Sequence, residues 1–141
     1  MSRTIPAIFV SGILSLSIPD MSVWNAAGVV QIIEAAVRLY APRALFVQPA
    51  TYQAVFRDKP SVAWMLYLPL QLSSMQVPEA ARLEPVHDAN DRVIGTIIIS
   101  VADAIFDIDN PDHVRIAHDI EVRLTDQNLL PRYPDLLFSP S

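Results

Sequence analysis

An α/β (α+β) fold, with a mixed β-sheet packed with helices, is what this sequence predicts. Three features carry that prediction. Short apolar runs bounded by proline and polar turns recur along the chain, as strands do. Two longer segments space their apolar residues with the period of a helix. The 141 residues are 52% hydrophobic and 18% charged, which suits one domain with a sizeable core and is too apolar for disorder. The expected order is β-α-β-α-β-β-β-α.

Residues 8–18 alternate apolar residues with serine (Leu14, Ser15, Leu16, Ser17, Ile18) and read as a first strand, with Gly12 as a bulge. The same alternation argues against a signal peptide, whose core is continuously apolar. Pro19-Asp20 ends the strand, and Asp20 or Ser22 is placed to cap a helix over residues 23–40 by accepting its orphan N–H groups. Gln31, Glu34 and Arg38 form a narrow polar stripe on that helix, so most of it should be buried. Ala41-Pro42 stops it. Residues 43–48 form a short apolar strand, Pro49 opens a brief helix over 50–57, and residues 58–61 turn. Residues 64–68 (WMLYL) form a strand ended by Pro69. Residues 81–87 and 93–101 flank the polar loop 88–92 as a hairpin. The second of these runs, VIGTIIISV, is nearly all apolar and belongs inside the sheet, covered on both faces.

The last helix is the best marked. Asn110 is a good N-cap, Pro111 suits the first helical position, and Asp112 sits where the helix dipole favours an acid. Val114, Ala117, Ile120 and Leu124 line one face, and the helix should end near Gln127. The segment 131–141 holds three prolines and reads as an irregular tail.

Searching for chemistry yields little. With no cysteine there is no disulfide frame and no thiolate, which fits a reducing cytoplasm. No stretch of about 18 uncharged apolar residues occurs, so no membrane span is expected. There is no G-x-S-x-G and no glycine-rich phosphate loop, and the chain has only three glycines. The acidic run ADAIFDIDNPDH lacks the glycine of a calcium loop and places Pro111 where a ligand should stand. His113 and His118 are five apart and point roughly 140° apart on a helix, unlike a zinc pair at i, i+4. No metal, cofactor or catalytic centre is therefore expected, and the chain reads as a binding protein rather than an enzyme.

The charge is uneven. Residues 79–126 hold eleven acids against four arginines, a net −7, while residues 1–78 carry +2. An acidic half argues against nucleic acid as a direct ligand and suits a basic protein partner. Asp103, Asp107, Asp109 and Asp112 put four carboxylates into ten residues, the densest charge in the chain, on a loop where side chains can reach a partner. They are the candidate partner-binding residues; in the competing reading Asp112 serves only its helix and Asp103 or Asp107 caps a turn. A second functional class, a non-catalytic small-molecule-sensing or regulatory domain, would show a concave apolar pocket with a few converging polar groups.

One ordered set of motifs narrows the choice. A long apolar helix ends in Tyr40-Ala41-Pro42 and is followed by Ala44-Leu45-Phe46-Val47, then Ala63-Trp64-Met65-Leu66-Tyr67-Leu68. A hairpin through Gly95-Thr96-Ile97-Ile98-Ile99 follows, then Phe106 and Asn110-Pro111-Asp112-His113-Val114, and finally Leu129-Leu130-Pro131. In order and spacing this resembles the Imm52 family of bacterial immunity proteins, over about residues 12–133. The sequence departs from the family pattern at Ala63, where a glycine usually precedes the tryptophan. The resemblance also implies a single immunity-protein-like domain over residues 1–141 that lacks the first elements of the full family domain. A sheet so shortened would have an open edge and could pair into a homodimer. As function, the resemblance implies a cytoplasmic antitoxin that binds and neutralises a cognate toxin, a restriction-endonuclease-like effector of a type VI secretion system.

Overall fold

The computed structural model describes residues 7–10, 12–18 and 24–132. Among these residues six strands form one mixed sheet: β1 (Ala7–Val10), β2 (Ile13–Ile18), β3 (Ala44–Pro49), β4 (Met65–Leu68), β5 (Arg82–His87) and β6 (Val93–Ile99), in the order β1-β2-β3-β4-β6-β5. The described residues also hold two helices, α1 (Ala26–Tyr40) and α2 (Pro111–Asp126). Strands β2 and β3 run parallel and are joined through α1, as a parallel pair requires a crossover; every other pair is antiparallel.

Period-two alternation sorts the side chains between two faces. Across the sheet Leu14 pairs with Leu45, Leu45 with Tyr67, and Tyr67 with Ile97; Leu16, Val47, Met65 and Ile99 make the next row. These pack with Val29, Ile33 and Val37 of α1. On the opposite face Ala44, Phe46, Leu66, Leu68 and Ile98 pack with Ile120 and Leu124 of α2. Each face thus carries one helix. Strand β6 lies between β4 and β5 with Ile97, Ile98 and Ile99 all buried, as its unbroken apolar run demands.

The mixed sheet with helices is as expected; several elements differ in detail. Residues 8–18 are not one bulged strand but a hairpin of β1 and β2, because Gly12 takes φ +86° and lets the chain reverse. The cap of α1 is Asn25, whose side chain accepts from Gly28 N–H at 2.7 Å; Asp20 and Ser22 lie outside the described residues. Only one stripe of α1 is buried, with Leu39 77% and Tyr40 53% exposed, since the sheet covers a single side of it. Residues 50–57 form turns rather than a helix. The tail over 133–141 lies outside the described residues.

Ala63 occupies the position where the resemblance expects glycine. It is fully buried and sits at φ +43°, in the left-handed region that costs a side chain about 1–2 kcal/mol and costs glycine nothing.

Candidate functional site

Helix α2 organises two loops. Its N-terminus forms as the sequence dictates: the Asn110 side chain accepts from Asp112 N–H at 2.9 Å and from His113 N–H at 3.4 Å, and Pro111 fills the first turn. Its inner face buries Ala117, Ile120 and Leu124 together with a carboxylate, Glu121, which is 1% exposed.

A buried carboxylate must have its lone pairs filled. Glu121 accepts from the Tyr52 hydroxyl at 2.5 Å and from Val62 N–H at 3.1 Å on one oxygen, and from Val55 N–H at 2.7 Å on the other. All three donors come from the 50–62 connection. This opposes a helix over 50–57: the Val55 N–H is taken by a side chain on another element instead of by a local ladder. Burial, and then the adjacent carboxylate, push the Tyr52 hydroxyl far above the ordinary tyrosine range. His118 adds a fourth tie, donating from Nε2 to the Gln53 carbonyl at 2.8 Å. At the far end of the connection Lys59 donates to the Leu130 carbonyl at 2.8 Å, and Arg132 pairs with Asp58 at 2.9 Å. That Arg132 hydrogen bond holds the Asp58 carboxyl below its ordinary range.

The loop between β6 and α2 is built the other way round. Its anchor is Phe106, 1% exposed, whose ring meets Tyr52 edge-on at 5.8 Å and lies 5.9 Å from the His113 ring. Around that anchor Asp103, Asp107, Asp109 and Asp112 are all exposed. Asp107 closes a tight turn by accepting from Asp109 N–H at 2.9 Å, and its own N–H donates to His113 Nδ1 at 3.0 Å. Asp112 stands in the first turn of α2, 3.4 Å from Arg115. The four candidate acids therefore share one exposed segment. Asp107 and Asp112 also have local structural partners.

Beside this loop an open depression is lined by Ile108, Pro111 and Val114 with the charged or polar Asp109, Arg115, His118 and Asp119. An acidic loop next to a mixed, open surface is suited to contact another macromolecule. The depression itself is open and of mixed polarity, unlike the enclosed apolar chamber that buries a small ligand. Among the described residues no group of three or more histidine, aspartate or glutamate side chains is placed to hold a metal ion, and no helix is long and apolar enough to cross a membrane.

Sequence reasoning missed Glu121 and Tyr52. The signal was present: Glu121 lies four residues after Ala117 and three before Leu124, inside the apolar stripe, where an acid is expected only with partners.

Compared with known families, the chain matches Imm52 (Immunity protein 52) over residues 21–132. No curated protein matches it.

Proposed function

The chain belongs to the Imm52 family of immunity proteins, and from that membership we propose that it neutralises a nuclease-type effector of a type VI secretion system by occluding the toxin's nucleic-acid-binding surface from within the cytoplasm. An immunity protein acts by binding its cognate toxin. The finer assignment rests on one observation above the others: Asp103, Asp107, Asp109 and Asp112 are all exposed on a segment pinned by the buried Phe106. A nuclease must present positive charge to the phosphate backbone. A rigid acidic segment competes for that same surface and speeds encounter by electrostatic steering. Binding of this kind needs no catalytic group, metal or cofactor in the immunity protein, and the charge of residues 79–126 disfavours direct contact with nucleic acid.

Self-association is the second contact in this proposal. Among the described residues strand β1 is one edge of the sheet, and its sequence, AIFV, has neither charge nor proline to discourage pairing. The opposite edge, β5, carries Arg82, Glu84 and Pro85 and is guarded. A homodimer through β1 should form at high protein concentration; light scattering that stays monomeric at roughly millimolar protein, far above the range of specific pairs, counts against it.

The functional reading is tested by co-expression with the toxin from the same locus. Survival of the host, with a stable complex that has lost nuclease activity, is the expected result. A toxin that kills regardless, or one that proves to have no nucleic-acid substrate, overturns the nuclease assignment.

A further inference from the structure

We propose that His113 is a proton-sensitive latch for the acidic loop: uptake of one proton by its ring releases the Asp107 turn and loosens the segment that carries the exposed carboxylates. The geometry fixes the direction. The Asp107 backbone N–H donates to Nδ1 of His113 at 3.0 Å, so Nδ1 carries no hydrogen and the proton of the neutral ring sits on Nε2. A charged imidazole has N–H on both nitrogens and no acceptor. Proton uptake therefore replaces a hydrogen bond by two donors facing each other, and one of them must move.

What would move is set by the surroundings. The imidazole is backed by the Phe106 ring at 5.9 Å, and Phe106 is itself locked against Tyr52. The helix holds the other side, because His113 N–H is part of the Asn110 cap. The loop side is the exposed one, held by local bonds across its turn: Asn110 N–H to the Asp107 carbonyl at 3.0 Å and Asp109 N–H to the Asp107 carboxylate at 2.9 Å. Asp107 then shifts, and with it the turn in which its carboxylate accepts from Asp109 N–H. The charged and titratable groups tied to this cluster are Asp107, which meets the ring, and Asp109, which closes the Asp107 turn; Asp112 next along the helix, with its partner Arg115; and Tyr52 behind Phe106, with His118 against it. Proton uptake also adds a positive charge beside the loop's carboxylates and offsets part of their field. The contact is present with a neutral ring and lost as pH falls. Both consequences, a looser loop and a weaker field, act in the same direction on a basic partner.

The test needs only the free protein, so it stands or falls separately from the identity of the toxin. Amide exchange of Asp107 and Asp109 is followed by NMR between about pH 8 and about pH 5, as protection relative to the intrinsic rate at each pH, alongside the His113 ring proton shifts. The expected result is a roughly tenfold loss of protection at Asp107, with the midpoint of the His113 titration and little change in the centre of the sheet. In His113→Phe the Asp107 amide should be weakly protected at every pH, with no midpoint. Unchanged protection of Asp107 in the wild-type protein while His113 demonstrably takes up its proton overturns the proposal. So does a pH midpoint that survives in a folded His113→Phe variant.

Discussion

The 50–62 connection gives two backbone N–H groups and a tyrosine hydroxyl to a single buried carboxylate, whereas the loop before α2 keeps its carboxylates in water and is held by a buried phenylalanine. Both are irregular segments fixed against the same helix. In the first, charge is the fastener: Glu121 pays for its burial only because each bond is made, so the segment and the helix stand or fall together. In the second, apolar packing is the chief fastener, and the exposed carboxylates make only local turn and helix contacts. Carboxylates that contribute little to stability can be spent on recognition, and their loss should show in binding rather than in folding.

The comparison is most easily broken at Glu121. Glu121→Ala leaves three donors without their acceptor in a closed site and should cost about 3–5 kcal/mol, read as a lower urea midpoint or as failure to fold. A loss under about 1 kcal/mol would mean that water replaces the carboxylate and that the connection is not fastened by it. Next in size is Ala63→Val. A β-branched side chain at φ +43° in a fully buried position should lose about 2–3 kcal/mol, while Ala63→Gly should stay within about 1 kcal/mol of wild type. Tyr52→Phe follows, at about 1–2 kcal/mol. It also predicts a pH effect. Because the folded tyrosine titrates above its ordinary value, its contribution is intact below about pH 10 and is lost as pH rises beyond it. Alkaline destabilisation should shrink in Tyr52→Phe without vanishing, since burial raises the Tyr67 hydroxyl as well.

Much of this architecture was legible in the chain. The α2 cap at Asn110-Pro111, the hairpin of β5 and β6 and the interior placement of β6 follow from local rules, because turn chemistry and apolar runs act over a few residues. What was not legible depended on distant partners. The 50–57 segment has helical character in isolation, but Val55 N–H is claimed by a carboxylate 66 residues away. At Gly12 the glycine alone suits either a bulge or a turn; the turn seen has φ +86°, and the Gly12 carbonyl accepts from Arg43 N–H, just before β3. The acidic segment was visible as charge density; its anchoring by Phe106, and the His113 contact to Asp107, were not.

A smaller effect sharpens the contrast between buried and exposed charge. Glu79 pairs with Arg123 at 2.6 Å, and that hydrogen bond holds the Glu79 carboxyl below its ordinary range. Its contribution is present at neutral pH and fades as pH falls through that lowered value. Both side chains remain partly in solvent, so Glu79→Gln should cost under about 1 kcal/mol and less still in high salt. A loss as large as that of Glu121→Ala would erase the distinction drawn between the two kinds of carboxylate.

The smallest stability effect is expected where the binding effect should be largest. Replacing Asp103, Asp107 and Asp109 together by asparagine removes three charges while keeping the acceptor that Asp107 offers to Asp109 N–H. Stability should change by no more than about 0.5 kcal/mol. The decisive measurement is the association rate of this triple variant with the cognate toxin at low and at high salt. Slower association at low salt, converging on the wild-type rate as salt screens the field, is the predicted result. A well-folded triple variant that associates at the wild-type rate in low salt would contradict it and remove the acidic segment from the inhibitory surface.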